Sequence, residues 1–211
     1  MGNIAMLQVK RPGPMTVDKE LIQRCQQGDE AAFEVLVKKH ERRVFGLVYQ
    51  MVRQPSEVED IAQEVFTKIY FSLPQFRIEA SFEAWLYRIT VNQCYDYLRK
   101  RKREAQVTES DLSDEEAAFF ERFGSITQPR HLDISKRLEI RQTAERLLSM
   151  LPPKDRSLLI LKEIEELSIE ELTQVFKSSA SAIKLRLFRA RNHLKAVYQK
   201  SRKKEKGKQR V

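Results

Sequence analysis

Residues 167–194 read LSIEELTQVFKSSASAIKLRLFRARNHL, and this stretch decides the fold of the C-terminal part. Ile169, Leu172 and Phe176 fall at helical spacing. Ile183, Leu187, Ala190 and Leu194 then recur at steps of four, three and four, which buries one face of a second helix. The flanks of that helix carry Lys184, Arg186, Arg189, Arg191 and Lys195. A short helix pair with a basic second helix has the shape that enters the DNA major groove. An ordinary helical hairpin with a solvated charged face gives the same pattern, so this segment alone leaves both readings open.

The rest of the chain narrows the choice. Its 211 residues allow one or two domains. The net charge of +9 favours a polyanionic partner. Cys25 and Cys94 stand far apart, and His40, His131 and His193 are scattered. That spacing argues against a zinc site, and the thiols read as small buried groups of a reducing compartment. No apolar run approaches membrane-spanning length, and the N-terminus lacks a signal-peptide core, so the expectation is a cytoplasmic protein with no membrane insertion. No phosphate-binding Gly loop, metal-ligand cluster or nucleophile-base pairing stands out, so no enzyme, metal or cofactor is expected.

Residues 1–17, with Pro12, Gly13 and Pro14, read as a loose extension. A first domain spans 18–103. Leu21, Ile22 and Cys25 give a short stripe, and Asp29 is placed to cap a long second helix. Ser56, with Glu59 three residues on, is placed to cap a third. Pro74 ends it, the loop PQFRIEA follows, and Ser81 caps a fourth helix that ends in the basic run RKRKR. Residues 104–121 hold no Lys or Arg but seven acids, so 104–138 is an acidic linker. A second domain spans 139–198, with Pro152 and Pro153 opening one of its helices. Residues 199–211 form a basic tail expected to be unstructured. No strand pattern is convincing. The fold class is all-α, with two small helical domains on a tether.

Two further segments carry chemistry. On the third helix, Ile61, Val65 and Ile69 read as core, while Asp60, Gln63, Glu64 and Thr67 share another face. That acidic-amide face suits a basic or polar partner helix, and it equally fits a solvated surface. From Phe76 to Arg103, aromatics interleave with bases, with Trp85 the first candidate for the core. Rings and cations in alternation suit single-stranded nucleic acid, where stacking is worth about 1–3 kcal/mol per base.

Taken together, these residues resemble a bacterial RNA polymerase sigma factor of the extracytoplasmic-function (ECF) class. The region-two signatures are EVEDIAQEVFTKIY and FRIEASFEAWLYRITVNQCYDYLRKR, and region four runs through LPPKDRSLLILKEIEELSIEELTQVF and AIKLRLFRARNHL. The resemblance implies a dissociable subunit whose partners are bacterial core RNA polymerase and promoter DNA, duplex and melted. By that analogy Asp60, Gln63 and Glu64 face the polymerase clamp helices. Phe76, Arg77, Arg88, Asn92 and Asp96 serve melting and recognition of the start-proximal element, and Asn92 and Asp96 fit helix packing as well. Ser181, Lys184, Arg186, Arg189 and Arg191 serve the upstream element.

The chain departs from the family pattern at several places. Lys177 stands where Gly is common in the turn of region four, and a left-handed turn there costs a non-glycine residue about 1 kcal/mol. Thr173 replaces a usual Ala, and Val91 stands where Arg is frequent. Leu185 and Phe188 point away from the core, where they suit thymine methyls or the cover of another protein. An anti-sigma factor, common in the family, is one such cover. The competing reading is a helix-turn-helix DNA-binding regulator that acts without stable polymerase association.

Overall fold

The computed structural model describes residues 19–78, 80–104 and 143–208, without the side chains of residue 104 and of 201–208. The acidic linker, the N-terminal extension and the last three residues lie outside the described residues. All regular elements among the described residues are helical, and the chain divides into two compact units with the boundary between Ile126 and Thr127.

In the first unit α1 spans Lys19–Gln26, α2 Glu30–Val52, α3 Pro55–Ser72 and α4 Phe82–Glu104. Gly28, at φ 86°, closes α1 in a backbone conformation that glycine adopts freely. Asp29 then caps α2 as expected: its carboxylate accepts from the Ala32 N–H at 3.0 Å and holds Arg24 Nη2 at 2.8 Å. These two partners keep the Asp29 carboxyl below its usual range. The third helix starts differently from the expectation. Pro55 occupies its first turn, Gln54 precedes it without a side-chain cap, and Ser56 lies inside the helix. Proline presets the helical φ and lacks the N–H that a cap would satisfy, so it starts the helix alone.

Helices α2, α3 and α4 pack on one another, and α1 lies on α2. Leu36, Val44, Leu47 and Val48 of α2 meet Val58, Ile61, Val65 and Ile69 of α3 in the core. Burying each such side chain contributes about 1.5–3 kcal/mol. His40 sits among them, 1 % exposed, and neither ring nitrogen has a hydrogen-bond partner among the described residues. It shares a small apolar pocket with Leu36, Phe66, Ile69, Phe82 and Leu86. Burial, aided by Arg43 and Lys39, pushes its pKa down to about 4. Cys94 is fully buried and Cys25 is half-buried; both are free thiols raised by burial.

In the second unit a helical segment over 143–149 (α5) precedes α6 (Pro153–Leu159), a π-helical turn (Ile160–Ile164), α7 (Ile169–Phe176) and α8 (Ala180–Lys208). Arg156 is buried and closes α5: its guanidinium donates to the carbonyls of Leu148 (2.8 Å), Ser149 (2.9 Å) and Leu151 (3.0 Å). Leu148 and Ser149 lie in the last turn of α5, where carbonyls lack a full set of helical partners, and Leu151 lies just beyond it. A capping box joins Ser168 and Glu171 at the start of α7. Lys177 ends α7 at φ 47°, ψ 52°, the left-handed turn expected there. Ser179 then caps α8, its Oγ accepting from the Ala182 N–H at 3.2 Å. Ile183, Leu187 and Ala190 are buried, with α8 packed on α6 and α7. The helix runs on to Lys208, through most of the tail expected to be unstructured. Lys, Arg, Gln and Glu are good helix formers, and Gly207 is the first breaker after Ala180.

Candidate functional site

Three surfaces emerge, two in the first unit and one in the second. The first lies on α3. Val58, Ile61, Ala62, Val65 and Ile69 turn inward, so Asp60, Gln63, Glu64 and Thr67 are left exposed together. Phe71 continues this face four residues beyond Thr67, and at 72 % exposure it is the most open large apolar side chain among the described residues. Its ring meets Tyr70 edge-on with centroids 5.4 Å apart, and Tyr70 in turn meets Phe33 at 5.0 Å. Glu64 is braced from α4: Gln93 Nε2 donates to its carboxylate, and Lys68 Nζ donates to Gln93 Oε1. Phe71 and Gln93 escaped the sequence reading. Phe71 lies at the right helical interval but reads as core by composition, and Gln93 acts across 29 residues of chain.

The second surface is the loop between α3 and α4 with the adjoining face of α4. Phe76 is buried at 7 % exposure, its ring packed against Trp85 at 5.0 Å and Phe82 at 5.6 Å. It anchors the loop from inside, while Arg77 beside it is exposed. Gln26 of α1 clamps the same loop, its Nε2 donating to the Leu73 carbonyl at 3.0 Å and the Phe76 carbonyl at 2.8 Å. Ser81 caps α4 through the Ala84 N–H at 3.3 Å. Arg88, Asn92 and Asp96 follow at steps of four along one face of α4, Arg88 half-buried and the other two exposed. Asp96 pairs with Arg99. Beyond it, Arg99 to Arg103 are exposed and form the basic wall of a groove whose opposite wall carries Glu57, Asp60 and Glu64.

The third surface is α8. Ser181, Lys184 and Arg189 are exposed, and Lys184 and Arg189 make no ion pair among the described residues. Arg186 instead reaches back to Asp155 of α6 at 3.0 Å, and Arg191 to Glu163 of the π-helical turn at 2.6 Å. Of the four cations predicted for DNA, two therefore brace the helix. Leu185 and Phe188 stand outward, 50 % and 63 % exposed.

A helix-turn-helix whose second helix holds no acid from Ala180 through Lys204, together with a helical unit whose aromatic-anchored loop leads into a helix ending in a basic run, defines a DNA-binding protein of the transcription machinery. Two family models match it: Sigma-70 region 2 over residues 36–104 and Sigma-70 region 4 over residues 141–194. The RNA polymerase sigma-H factor of Pseudomonas aeruginosa is 35 % identical over 185 residues, covering 86 % of this chain and 94 % of that one. The ECF RNA polymerase sigma-E factor of Escherichia coli is 37 % identical over 178 residues, 82 % of this chain and 90 % of that one. Among solved structures, CnrH in complex with the cytosolic domain of CnrY has the same fold, with a TM-score of 0.61 and 24 % identity over 86 % of this chain and 97 % of that one. The sigma factor RpoE of Bartonella quintana, solved with the anti-sigma factor NepR, gives 0.61 and 22 % over 79 % and 96 %. The chain belongs to the sigma-70 family, in its ECF class. It is a polymerase-associated factor for promoter-specific transcription initiation. No helix among the described residues is long and apolar enough to cross a membrane.

Proposed function

We propose that the two units divide the work of initiation. The first docks on core RNA polymerase through Asp60, Gln63 and Glu64, with Phe71 as its apolar anchor. The observation that carries this reading is the α3 face itself, where these side chains are exposed in one line above a fully buried stripe. Carboxylates and an amide choose a basic or polar partner and set its register, while a large exposed ring supplies contact area.

The loop from Pro74 to Ser81 and the Arg88–Asn92–Asp96 face of α4 take the start-proximal promoter strand. Phe76 and Gln26 fix the loop, and Arg77 is its cation for the backbone. The second unit holds the upstream duplex, with Lys184 and Arg189 on phosphates and Ser181 near the helix N-terminus, where recognition helices meet base edges. The protein works in the cytoplasm, performs no catalysis of its own, and takes an anti-sigma factor as a partner; the sigma factor RpoE of Bartonella quintana is solved in complex with one.

Transcription from a promoter library by bacterial core polymerase, with and without the chain, tests the reading. New start sites with two shared sequence elements are expected. No new starts and no polymerase binding would overturn it in favour of a stand-alone DNA-binding regulator.

A further inference from the structure

The outward line of α8 is Ser181, Leu185, Phe188 and Asn192, spaced four, three and four residues apart and opposite the buried Ile183, Leu187 and Ala190. Leu185 and Phe188 at its centre are half to two-thirds exposed. Large apolar side chains exposed side by side mark a contact surface. The charge around them says what kind. Lys184 and Lys195 lie on one flank and Arg189 on the other, all exposed, and no Asp or Glu occurs from Ala180 through Lys204. An apolar strip inside an acid-free, cationic frame is complementary to the duplex, with phosphates on either side and a groove floor between them.

Only one base edge offers an apolar partner in the major groove, the C5-methyl of thymine. Leucine and phenylalanine have no side-chain donor or acceptor with which to read guanine, adenine or cytosine. Three residues of helix rise about 4.5 Å, against about 3.4 Å per base step on one strand, so the two side chains span adjacent steps. Arg186 and Arg191 are turned away from this strip, toward Asp155 and Glu163.

We infer that Leu185 and Phe188 are specificity-determining residues that read the methyl groups of two adjacent thymines in the upstream promoter element. This rests on the reading above in which the second unit binds that element. Ser181 and Asn192, one turn to either side, supply the polar contacts that bound the thymine step.

The test exchanges thymine for uracil, which removes the methyl and keeps base pairing. Full-length protein with core polymerase is titrated against a library-selected promoter and against versions with uracil at single upstream positions. Binding is expected to fall about fourfold per methyl at two neighbouring positions and to be unchanged elsewhere. The Leu185→Ala and Phe188→Ala proteins should bind the thymine promoter more weakly and no longer distinguish uracil from thymine at one of those positions each. Uracil binding as well as thymine at every position, with upstream base-pair changes still harmful, would overturn methyl reading alone. Equal weakening of Phe188→Ala on both promoters would also overturn it, and would assign the patch to a protein partner. Indifference to every upstream base-pair change would instead overturn the assignment of the second unit to upstream DNA, and the inference with it.

Discussion

The outward faces of α3 and α8 follow one plan with opposite charge. Each stands over a buried aliphatic stripe and each carries an open aromatic, Phe71 at 72 % exposure at the end of the α3 face and Phe188 at 63 % near the middle of the α8 face. On the same face as Phe71, about two to three turns toward the N-terminus, stand Asp60, Gln63 and Glu64; flanking Phe188 stand Lys184 and Arg189. Each face is also braced from neighbouring elements, by Gln93 on Glu64 in the first unit and by Asp155 and Glu163 on Arg186 and Arg191 in the second. The braces differ in what they leave over. Gln93 holds a carboxylate on the functional face, whereas Asp155 and Glu163 draw two cations away from it. Aromatic area is therefore common to both surfaces, and on the proposed reading the sign and number of the remaining charges select a protein partner for one and nucleic acid for the other.

The largest effect that would sharpen this contrast lies on α3. Changing Asp60, Gln63 and Glu64 together to Ala is expected to weaken polymerase binding roughly 100-fold, because truncating buried charged contacts at an interface costs several kcal/mol. Phe71→Ala alone should cost about 2 kcal/mol, roughly 30-fold, as truncation of an aromatic anchor does. Titration of labelled core polymerase measures both, and helical circular dichroism should be unchanged. If either variant bound normally, the α3 face would be solvated surface and the parallel with α8 would break.

Stability separates the units along another axis. His40 is buried without a hydrogen bond, with its pKa pushed down from 6.5 to about 4 by burial and by Arg43 and Lys39. The unfolded chain binds this proton at higher pH than the folded one. Stability is thus full above about pH 6.5, declines as pH falls, and has lost about 3 kcal/mol once pH passes below 4. This acid sensitivity falls on the first unit, whereas His193 of the second is exposed. Chemical denaturation at pH 7 and pH 4.5 should show the first unit's transition moving to lower denaturant. His40→Leu should remove most of that movement, and an equal shift in the variant would locate the acid response elsewhere.

Helix periodicity made much of this legible. The stripes Leu36–Val44–Leu47 and Ile61–Val65–Ile69, the cap at Asp29 and the cap at Ser81 follow from side chains within one helix length of each other, while the left-handed turn at Lys177 is expected from the family resemblance. What stayed hidden depends on reach across the chain. Gln26 clamps a loop some fifty residues away, and Arg156 closes the preceding helix from inside the next. A helical wheel places Arg186 and Arg191 on the flanks of α8, but only their acidic neighbours decide that they fold back. The π-helical turn at Ile160–Ile164 likewise has no local punctuation, since ILKEI is ordinary helix by propensity.

The split among the α8 cations gives a finer test. Lys184→Ala and Arg189→Ala should each lower the slope of log affinity against log salt by about 0.9 on duplex carrying the upstream element. Arg186→Ala and Arg191→Ala should leave that slope alone and cost at most about 1 kcal/mol of stability, as partly exposed ion pairs do. Equal slopes for all four would return Arg186 and Arg191 to the DNA.

The smallest effect compares two of the left-handed helix ends among the described residues. Arg53 closes α2 at φ 58° and Lys177 closes α7 at φ 47°, and each non-glycine residue there is strained by about 1 kcal/mol. Arg53 has an offset, because its guanidinium lies 5.1 Å from the centre of the Tyr49 ring, a contact worth about 0.5–1 kcal/mol. Lys177 is exposed and makes no such contact among the described residues. Lys177→Gly should therefore raise the second unit's stability by somewhat under about 1 kcal/mol, since glycine relieves the strain but loosens the unfolded chain. Arg53→Gly should come out near zero in the first unit, the lost ring contact cancelling the relief. Denaturant midpoints of the two variants measure the difference, and an equal gain at both sites would mean that the stacked guanidinium adds nothing to the α2 terminus.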